Sequence, residues 1–201
     1  MLIKINKKYA FQNPISKQRF KNKHMKRIAP LVFLFFIFIG ADAQRLTPDD
    51  IGSTINFTIK NFGFATTGNF SGLKGSIMFD ASNSSHANFA VSINAASVNT
   101  NNQSRDKHLR KEDYFNVEKF PLINFVSSAV RETMPGIFSM KGKLTMKGVT
   151  KDISFPFTAS AQKNGYLFVG SFKINRRDFG VGGSSMVLAD NLDVSLSIFA
   201  K

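Results

Sequence analysis

The chain has 201 residues, which is enough for one domain with an appendage, and it carries a formal net charge of +14 and no cysteine. This charge alone does not indicate a nucleic-acid partner, because residues 1–43 hold nine of the 27 basic residues and one of the 13 acidic ones, which leaves a net charge of +6 in residues 44–201. The absence of cysteine excludes disulfides, so the domain has to be stabilised by its core.

The first 43 residues have the organisation of a secretory signal peptide. An apolar run covers residues 28–40, Met25-Lys26-Arg27 precede it, and Ala41-Asp42-Ala43 follow it as an A-x-A site. The run is too short to span a bilayer comfortably, although an uncleaved anchor is the alternative. We therefore predict that residues 1–43 are a signal peptide with an N-terminal extension, removed near Ala43, and that residues 44–201 act in the periplasm or outside the cell.

Residues 44–201 show the apolar–polar alternation of half-buried strands. In 53–60, Ile55, Phe57 and Ile59 alternate with polar residues, and the stretch continues to Phe70 after a bend. Asn164-Gly165 predicts a hairpin with a type I′ turn. Similar strand segments occupy 73–80, 89–94, 122–131, 136–147, 151–158, 165–175 and 191–200.

This pattern predicts an all-β fold of about eight strands. No helical pattern is long enough for a parallel crossover, so the sheet should be antiparallel. Eight strands form either a sandwich or a barrel, and closure into a barrel removes exposed edges. The interior of such a barrel is either filled by side chains or open for one ligand.

The inward positions are rich in phenylalanine: 16 of the 22 lie in residues 44–201. A lining of this kind suits a hydrocarbon chain, while a filled core explains the pattern equally well. A membrane-embedded barrel is disfavoured, because tryptophan is absent and no aromatic girdle is visible. If a tunnel exists, the predicted lining residues are Phe57, Ile59, Phe64, Phe125, Phe138, Met140, Phe155, Phe157, Phe168, Phe172 and Ile174.

One long polar insertion, residues 99–121, interrupts the strands. It predicts a short helical segment around 103–116, with Ser104 capping a helix over 105–114. On that helix His108 and Glu112 would share a face that could hold a metal, but two or three ligands are too few, and we expect a solvated face. We predict no metal and no cofactor other than a bound lipid.

Four segments resemble the YceI-like, polyisoprenoid-binding proteins. They are NTNNQSRDKHLRKEDYFNVEKFPLINF (99–125), FGFATTGNFSGLKGSIMFD (62–80), GKLTMKGVTKDISFPF (142–157) and NRRDFGVGG (175–183). The departures are small: Tyr114 replaces a commoner Phe, and Lys60-Asn61-Phe62 replaces Lys-His-Leu. The resemblance implies an extended, lipocalin-like eight-stranded barrel that binds polyprenyl chains, isoprenoid quinones or fatty-acid derivatives.

Five residues within these matches are candidates for contact with a lipid head group. Arg105, Asp106 and His108 belong to the R-D-x-H-L match, where they could either meet a head group or pin the insertion in place. Arg176 has inward parity and would need a partner, either Asp178 or an anionic head group.

We predict a non-enzymatic protein that carries or sequesters one long-chain apolar lipid, because no nucleophile–base pair and no phosphate-binding loop are visible. The alternative is a structural or interaction module of the cell envelope with a filled core, whose basic surface meets acidic partners or a membrane. A transient membrane contact and a homodimer are further expectations, whereas nucleic acid is not an expected partner.

Overall fold

The computed structural model describes residues 44–201, so the predicted signal peptide and its cleavage site lie outside the described residues. Within these described residues, ten strands and one α-helix, α1 (Gln103–Leu109), form the fold. Among the described residues, no helix has the length and apolar character needed to cross a bilayer. The strands are β1 (Gln44–Leu46), β2 (Thr54–Asn61), β3 (Phe64–Phe70), β4 (Lys74–Phe79), β5 (Asn88–Asn94), β6 (Leu122–Met134), β7 (Ile137–Met146), β8 (Val149–Gln162), β9 (Gly165–Asn175) and β10 (Leu188–Ala200).

All ten strands belong to one curled antiparallel sheet, in the order β1-β4-β5-β6-β7-β8-β9-β10-β2-β3. Two isolated β-bridges, Pro48 with Ala200 and Asn69 with Asn99, connect the edge regions of the sheet near β1 and β3. We call this region the seam. The predicted all-β antiparallel fold is confirmed. The strand number is ten rather than eight, because the short β1 has too few residues to show alternation and because residues 53–70 fold as a hairpin rather than as one bent strand.

In two of the hairpins, the strands are connected by a two-residue turn of type I′. Phe62 and Gly63 join β2 to β3 with φ of 51° and 79°, and Lys147 and Gly148 join β7 to β8 with φ of 50° and 76°. The predicted hairpin at Asn164-Gly165 forms, but the type I′ prediction is wrong. Gln162 pairs with Gly165, so the two turn residues are Lys163 and Asn164, and neither has the positive φ that a type I′ turn requires.

The insertion between β5 and β6 folds as α1 followed by turns. Its N-cap is Asn102, whose side-chain oxygen accepts a hydrogen bond from the Arg105 N–H at 3.0 Å, rather than the predicted Ser104. The helix also ends at Leu109, five residues before the predicted end. Glu112 therefore lies beyond the helix, and it does not share a helical face with His108 as the sequence suggested.

The interior contains two groups of buried apolar side chains. In the first, the rings of six residues pack mostly edge-to-face at centroid distances of 5.1–6.5 Å. We call this group the aromatic cluster; its members are Phe79, Phe89, Phe138, Phe157, Tyr166 and Phe168. The second group lies under the insertion and includes Val98, Phe115, Ile123, Leu144, Met146, Ile174 and Phe179.

Candidate functional site

A cavity of about 440 Å³ lies inside the curled sheet. Its walls are almost entirely apolar side chains from the inward faces of the strands. The volume is within the range of pockets that enclose a small organic ligand. Sequence alternation left a filled core and a hollow one equally open, and the structure shows that the interior is partly hollow.

The aromatic cluster forms the floor of this cavity. Phe89, Phe157 and Phe168 border the cavity, whereas Phe79 and Phe138 lie behind them with exposures of only 1% and 2%. The ring of Phe79 lies 5.1 Å from that of Phe168 and 5.3 Å from that of Phe138, so the space behind the floor is filled. The interior is therefore packed behind this floor and hollow in front of it.

Glycines on neighbouring strands keep the large rings out of the lumen. A methyl group placed on Gly68 would lie 2.4 Å from Cζ of Phe57, and one placed on Gly142 would lie 2.4 Å from Cζ of Phe125. Each ring therefore packs against a glycine of the adjacent strand, in space that a side chain would otherwise fill. This arrangement explains how a barrel with so many phenylalanines retains a cavity.

Polar side chains enter the lining at the end where the β2–β3 hairpin, the α1 insertion and the loop before β10 meet. We call this end the mouth. The rings of His108 and Tyr114 meet edge-to-face there, with centroids 4.8 Å apart. The polar lining residues of the mouth are Asn61, Thr66, Arg105, His108, Tyr114 and Ser185.

Contacts with Thr100 hold the start of α1 in place. The buried carboxylate of Asp106 accepts hydrogen bonds from the backbone N–H of Thr100 at 2.9 Å and from its hydroxyl at 2.6 Å. Arg105 donates from Nε to the Thr100 hydroxyl at 2.7 Å and from Nη2 to its carbonyl at 2.8 Å. Asp106 is thus an anchor of the helix, while Arg105 combines an anchoring contact with a place in the cavity lining.

The guanidinium of Arg176 is 4% exposed, and its hydrogen-bonding capacity is fully used. Nε donates to the Ala189 carbonyl, Nη1 donates to the carbonyls of Val181 and Gly183, and Nη2 donates to the Leu188 carbonyl and the Asp190 carboxylate. A guanidinium has five N–H donors. Arg176 borders the cavity, but it holds the loop before β10 and keeps no N–H for a ligand.

The structure places the other predicted head-group candidate, Asp178, away from the cavity. It lies exposed in the short 3₁₀ helix Arg176–Phe179, and the carboxylate that pairs with Arg176 is that of Asp190, at 2.8 Å. Parity predicted the inward position of Arg176 correctly. It gave no means of finding a partner fourteen residues along the chain, which the β10 pairing brings into contact.

Nine of the eleven residues predicted to line the interior border the cavity: Phe57, Ile59, Phe125, Met140, Phe155, Phe157, Phe168, Phe172 and Ile174. The prediction for Phe64 is wrong, because this residue stands at the tip of the β2–β3 hairpin, where it is 78% exposed. The prediction for Phe138 is wrong in another way, because this residue is buried behind the floor. Thr66 and Tyr114 were not predicted; the inward parity of Thr66 with Phe70 could have identified it.

Comparisons with known proteins agree on one family. A family model described as a YceI-like domain matches residues 47–200. A UPF0312 protein of Shewanella denitrificans is 35% identical over 136 residues, covering 64% of this chain and 71% of that protein. A UPF0312 protein of Yersinia pestis is 34% identical over 178 residues, covering 85% of this chain and 92% of that protein.

Solved structures share the fold. The chain superposes on Burkholderia cenocepacia BcnA with a TM-score of 0.73 at 23% identity, covering 77% of this chain and 99% of that one. A YCEI protein of Campylobacter jejuni gives a TM-score of 0.60 at 31% identity, covering 66% and 82%. A polyisoprenoid binding domain from Saccharophagus degradans, implicated in plant cell wall breakdown, gives 0.65 at 18% identity, covering 80% and 98%.

Proposed function

Since this chain belongs to the YceI-like family, we propose that it binds one long-chain apolar lipid in the cavity of its barrel, for carriage or sequestration and without catalysis. The ligand classes that we consider are polyisoprenoids, isoprenoid quinones and fatty-acid derivatives. The likeness to a polyisoprenoid binding domain supports this general class. The observation that carries the proposal is the apolar cavity of about 440 Å³ enclosed by the sheet.

The size of the cavity gives a scale for the ligand. A methylene group is about as large as a water molecule, which takes up about 30 Å³ in the liquid. The cavity of about 440 Å³ therefore has room for about fifteen such groups. Burial of each methylene contributes about 0.8 kcal/mol, so a tail of this length gains roughly 12 kcal/mol before the costs of ordering it. Burial of the tail is therefore the largest favourable contribution that we expect to binding.

The polar end of the ligand would lie at the mouth. Arg105 and His108 border the cavity there, and the Nη1 atom of Arg105 is not used in its two contacts with Thr100. A lipid oxygen could accept a hydrogen bond from this guanidinium. Arg176 and Asp106 have structural contacts instead, so we propose Arg105 and His108 as the head-group residues and withdraw the other three candidates.

The alternative, an interaction module with a filled core, is less well supported, because an apolar cavity of about 440 Å³ lies among the packed side chains of the interior. We further propose that the protein acts in the periplasm or outside the cell after cleavage near Ala43. N-terminal sequencing of the protein from the native cell envelope tests this point, and an N-terminus before residue 28 would contradict it.

Purification under native conditions, followed by solvent extraction and mass spectrometry, tests the proposed lipid binding. Leu196 borders the cavity, so Leu196→Trp should fill it and reduce the amount of lipid recovered per protein. Val126 is half exposed on the outside of β6, so Val126→Trp is the matched control and should retain the lipid. Absence of lipid in the wild type, together with no binding of added fatty acids or prenols, would refute the proposal.

A further inference from the structure

An exposed apolar patch surrounds one side of the mouth. It consists of Phe62 and Phe64 on the β2–β3 hairpin and of Met186 and Val187 on the loop before β10, with exposures of 68%, 78%, 104% and 40%. Among the described residues, nine large apolar side chains are exposed, and these four lie on two adjacent segments. Scattered exposed apolar residues need no explanation, but a group of this kind indicates an interaction site.

The two segments are held together. The backbone N–H of Phe62 donates to the Val187 carbonyl at 2.8 Å, and Asn61 pairs both with Phe64 and with Leu188. The Ser185 hydroxyl accepts the backbone N–H groups of Val187 and Leu188 at 3.2 and 3.0 Å, which places Met186 at the top of a turn. We call these four exposed side chains the apolar rim.

Phe62 has a backbone conformation that is unfavourable for its residue type. Its φ is 51°, in the left-handed region, where a bulky residue is an outlier and where asparagine before glycine is the favoured choice for this turn. Most of its ring is in solvent, so burial does not compensate for the strain. Strain retained at an exposed position is a reason to look for a function of the side chain.

The rim also has few charges. Lys60 is the only charged residue in residues 60–68, and residues 179–189 contain none. The nearest carboxylate along the chain, Asp190, lies 2.8 Å from Arg176 and 3.5 Å from Arg177. These two segments therefore have no unpaired carboxylate. Contact with an anionic lipid surface would neither dehydrate such a group nor be opposed by its charge.

We propose that the apolar rim inserts into the surface of a lipid bilayer and places the mouth against it, so that a lipid tail passes between the bilayer and the cavity without crossing water. Asn61, Val187 and Leu188 border the cavity, so the rim and the cavity lining are continuous. This inference rests on the proposed lipid binding for its purpose. It is tested by a separate measurement, namely binding to vesicles.

The decisive variant is Phe62→Asn combined with Phe64→Thr. The first change puts asparagine before Gly63 in a type I′ turn, and the second introduces a β-branched residue at the start of β3, so the variant should be at least as stable as the wild type. Its binding to vesicles of equimolar phosphatidylcholine and phosphatidylglycerol, measured by co-sedimentation, should fall about tenfold or more. Its equilibrium binding of a soluble short-chain fatty acid should not change.

The matched control is Ile51→Ser. Ile51 is 98% exposed, and it precedes β2 whereas the rim follows it, so it lies at the opposite end of that strand. We expect the control to bind vesicles as the wild type does. Equal loss in both variants, no loss in the double variant, or no vesicle binding by the wild type would each overturn the proposal.

Two further results would also overturn it. Vesicle binding that is abolished by moderate salt and is unaffected by loss of the two phenylalanines would assign the contact to surface lysines instead of the apolar rim. Self-association that the double variant abolishes, without vesicle binding, would assign the patch to a second copy of the chain. In either case, extraction of a lipid from the cavity would leave the proposed function intact.

Discussion

The Nη2 atom of Arg176 lies 2.8 Å from the Oδ1 atom of Asp190, across the loop that closes one side of the mouth. The other donors of this guanidinium are bonded to four carbonyl groups of the same loop and its flanks. A residue that appears from the sequence to be available for a ligand is therefore part of the support of the site.

Arg176→Gln should destabilise the protein by about 3 kcal/mol, because it leaves the partner groups of a buried charge unpaired. Urea denaturation monitored by fluorescence or circular dichroism measures this loss. Arg177→Gln is the control: Arg177 is 49% exposed and lies 3.5 Å from the same carboxylate, so its effect should stay below about 1 kcal/mol. A stable Arg176→Gln protein with selectively lost lipid binding would instead favour a head-group role.

Gly68→Ala should reduce the capacity of the cavity more than it reduces stability. The added methyl group would lie 2.4 Å from Cζ of Phe57 and 2.9 Å from Cγ2 of Thr100, and the space available to the displaced ring is the cavity. We expect a stability loss of about 1–2 kcal/mol and weaker binding of a fluorescent fatty acid.

The second substitution Phe57→Leu should restore much of the ligand binding in the Gly68→Ala background, because it removes the displaced ring. Gly183→Ala is the control, since no atom beyond Gly183 and its two chain neighbours lies within 4 Å of the added methyl group. If binding fell equally in the presence and absence of the Phe57 ring, the ring would not be the cause.

Phe168 and Phe172 offer a matched pair for testing whether the aromatic cluster limits the length of the ligand. Both are on β9, both border the cavity and they share parity, but only Phe168 belongs to the floor. Phe168→Ala should extend the longest fatty acid that binds well by a few methylenes. Phe172→Ala should change affinity without this extension, as measured by competition with a homologous series.

The stability of the Phe168 variant decides which substitution is used in this experiment. Removal of a buried phenylalanine costs about 3–5 kcal/mol, so Phe168→Leu serves as the milder variant if the alanine protein does not fold. A chain-length preference that is the same in the wild type and in every floor variant would show that the limit lies elsewhere.

The pH dependence of stability should include a contribution from Asp49. The pKa of Asp49 lies below its ordinary value, chiefly because Lys201 donates a hydrogen bond to it at 2.6 Å and because the N–H groups of Gly52 and Ile51 also donate to it. A carboxyl group with a lowered folded-state pKa stabilises the protein above its unfolded-state pKa of 3.8. That contribution is lost as the pH falls through the lower, folded-state pKa.

Asp49→Asn should therefore be less stable than the wild type at neutral pH, and the difference should shrink below pH 3.8. Thermal unfolding of both proteins at several pH values measures it. Asp178→Asn is the control at an exposed acid. A difference between Asp49→Asn and the wild type that persists unchanged in strong acid would mean that the amide disturbs the seam for another reason.

Much of the fold follows from local patterns. Alternation in β7 assigned Phe138, Met140 and Leu144 to the inward face, because side chains of a strand point alternately to its two sides. The same rule failed to separate Phe64 from Phe57, since both have inward parity and only the position along the hairpin determines whether a residue lies in the barrel or beyond it. It also assigned Phe138 to the lumen, which is filled at that level by Phe79 from β4.

The candidate site shows the same division. The sequence motif identified Arg105, His108 and Arg176, and all three border the cavity. The motif did not distinguish the roles of the adjacent residues Arg105 and Asp106. The carboxylate of Asp106 is bonded to Thr100, whereas Arg105 also borders the cavity. This difference depends on the orientation of α1 relative to the sheet. The signal peptide and the location of the protein remain predictions.

The sequence by itself determined most of the strands, their inward faces and the apolar character of the interior, because these depend on a period of two and on the residue types within each strand. Only the tertiary structure decided that the sheet curls, that the interior is closed at the aromatic cluster and hollow above it, and that Arg176 pairs with Asp190. These features depend on which strands become neighbours and on how their side chains share one volume, and neither is a local property of the chain.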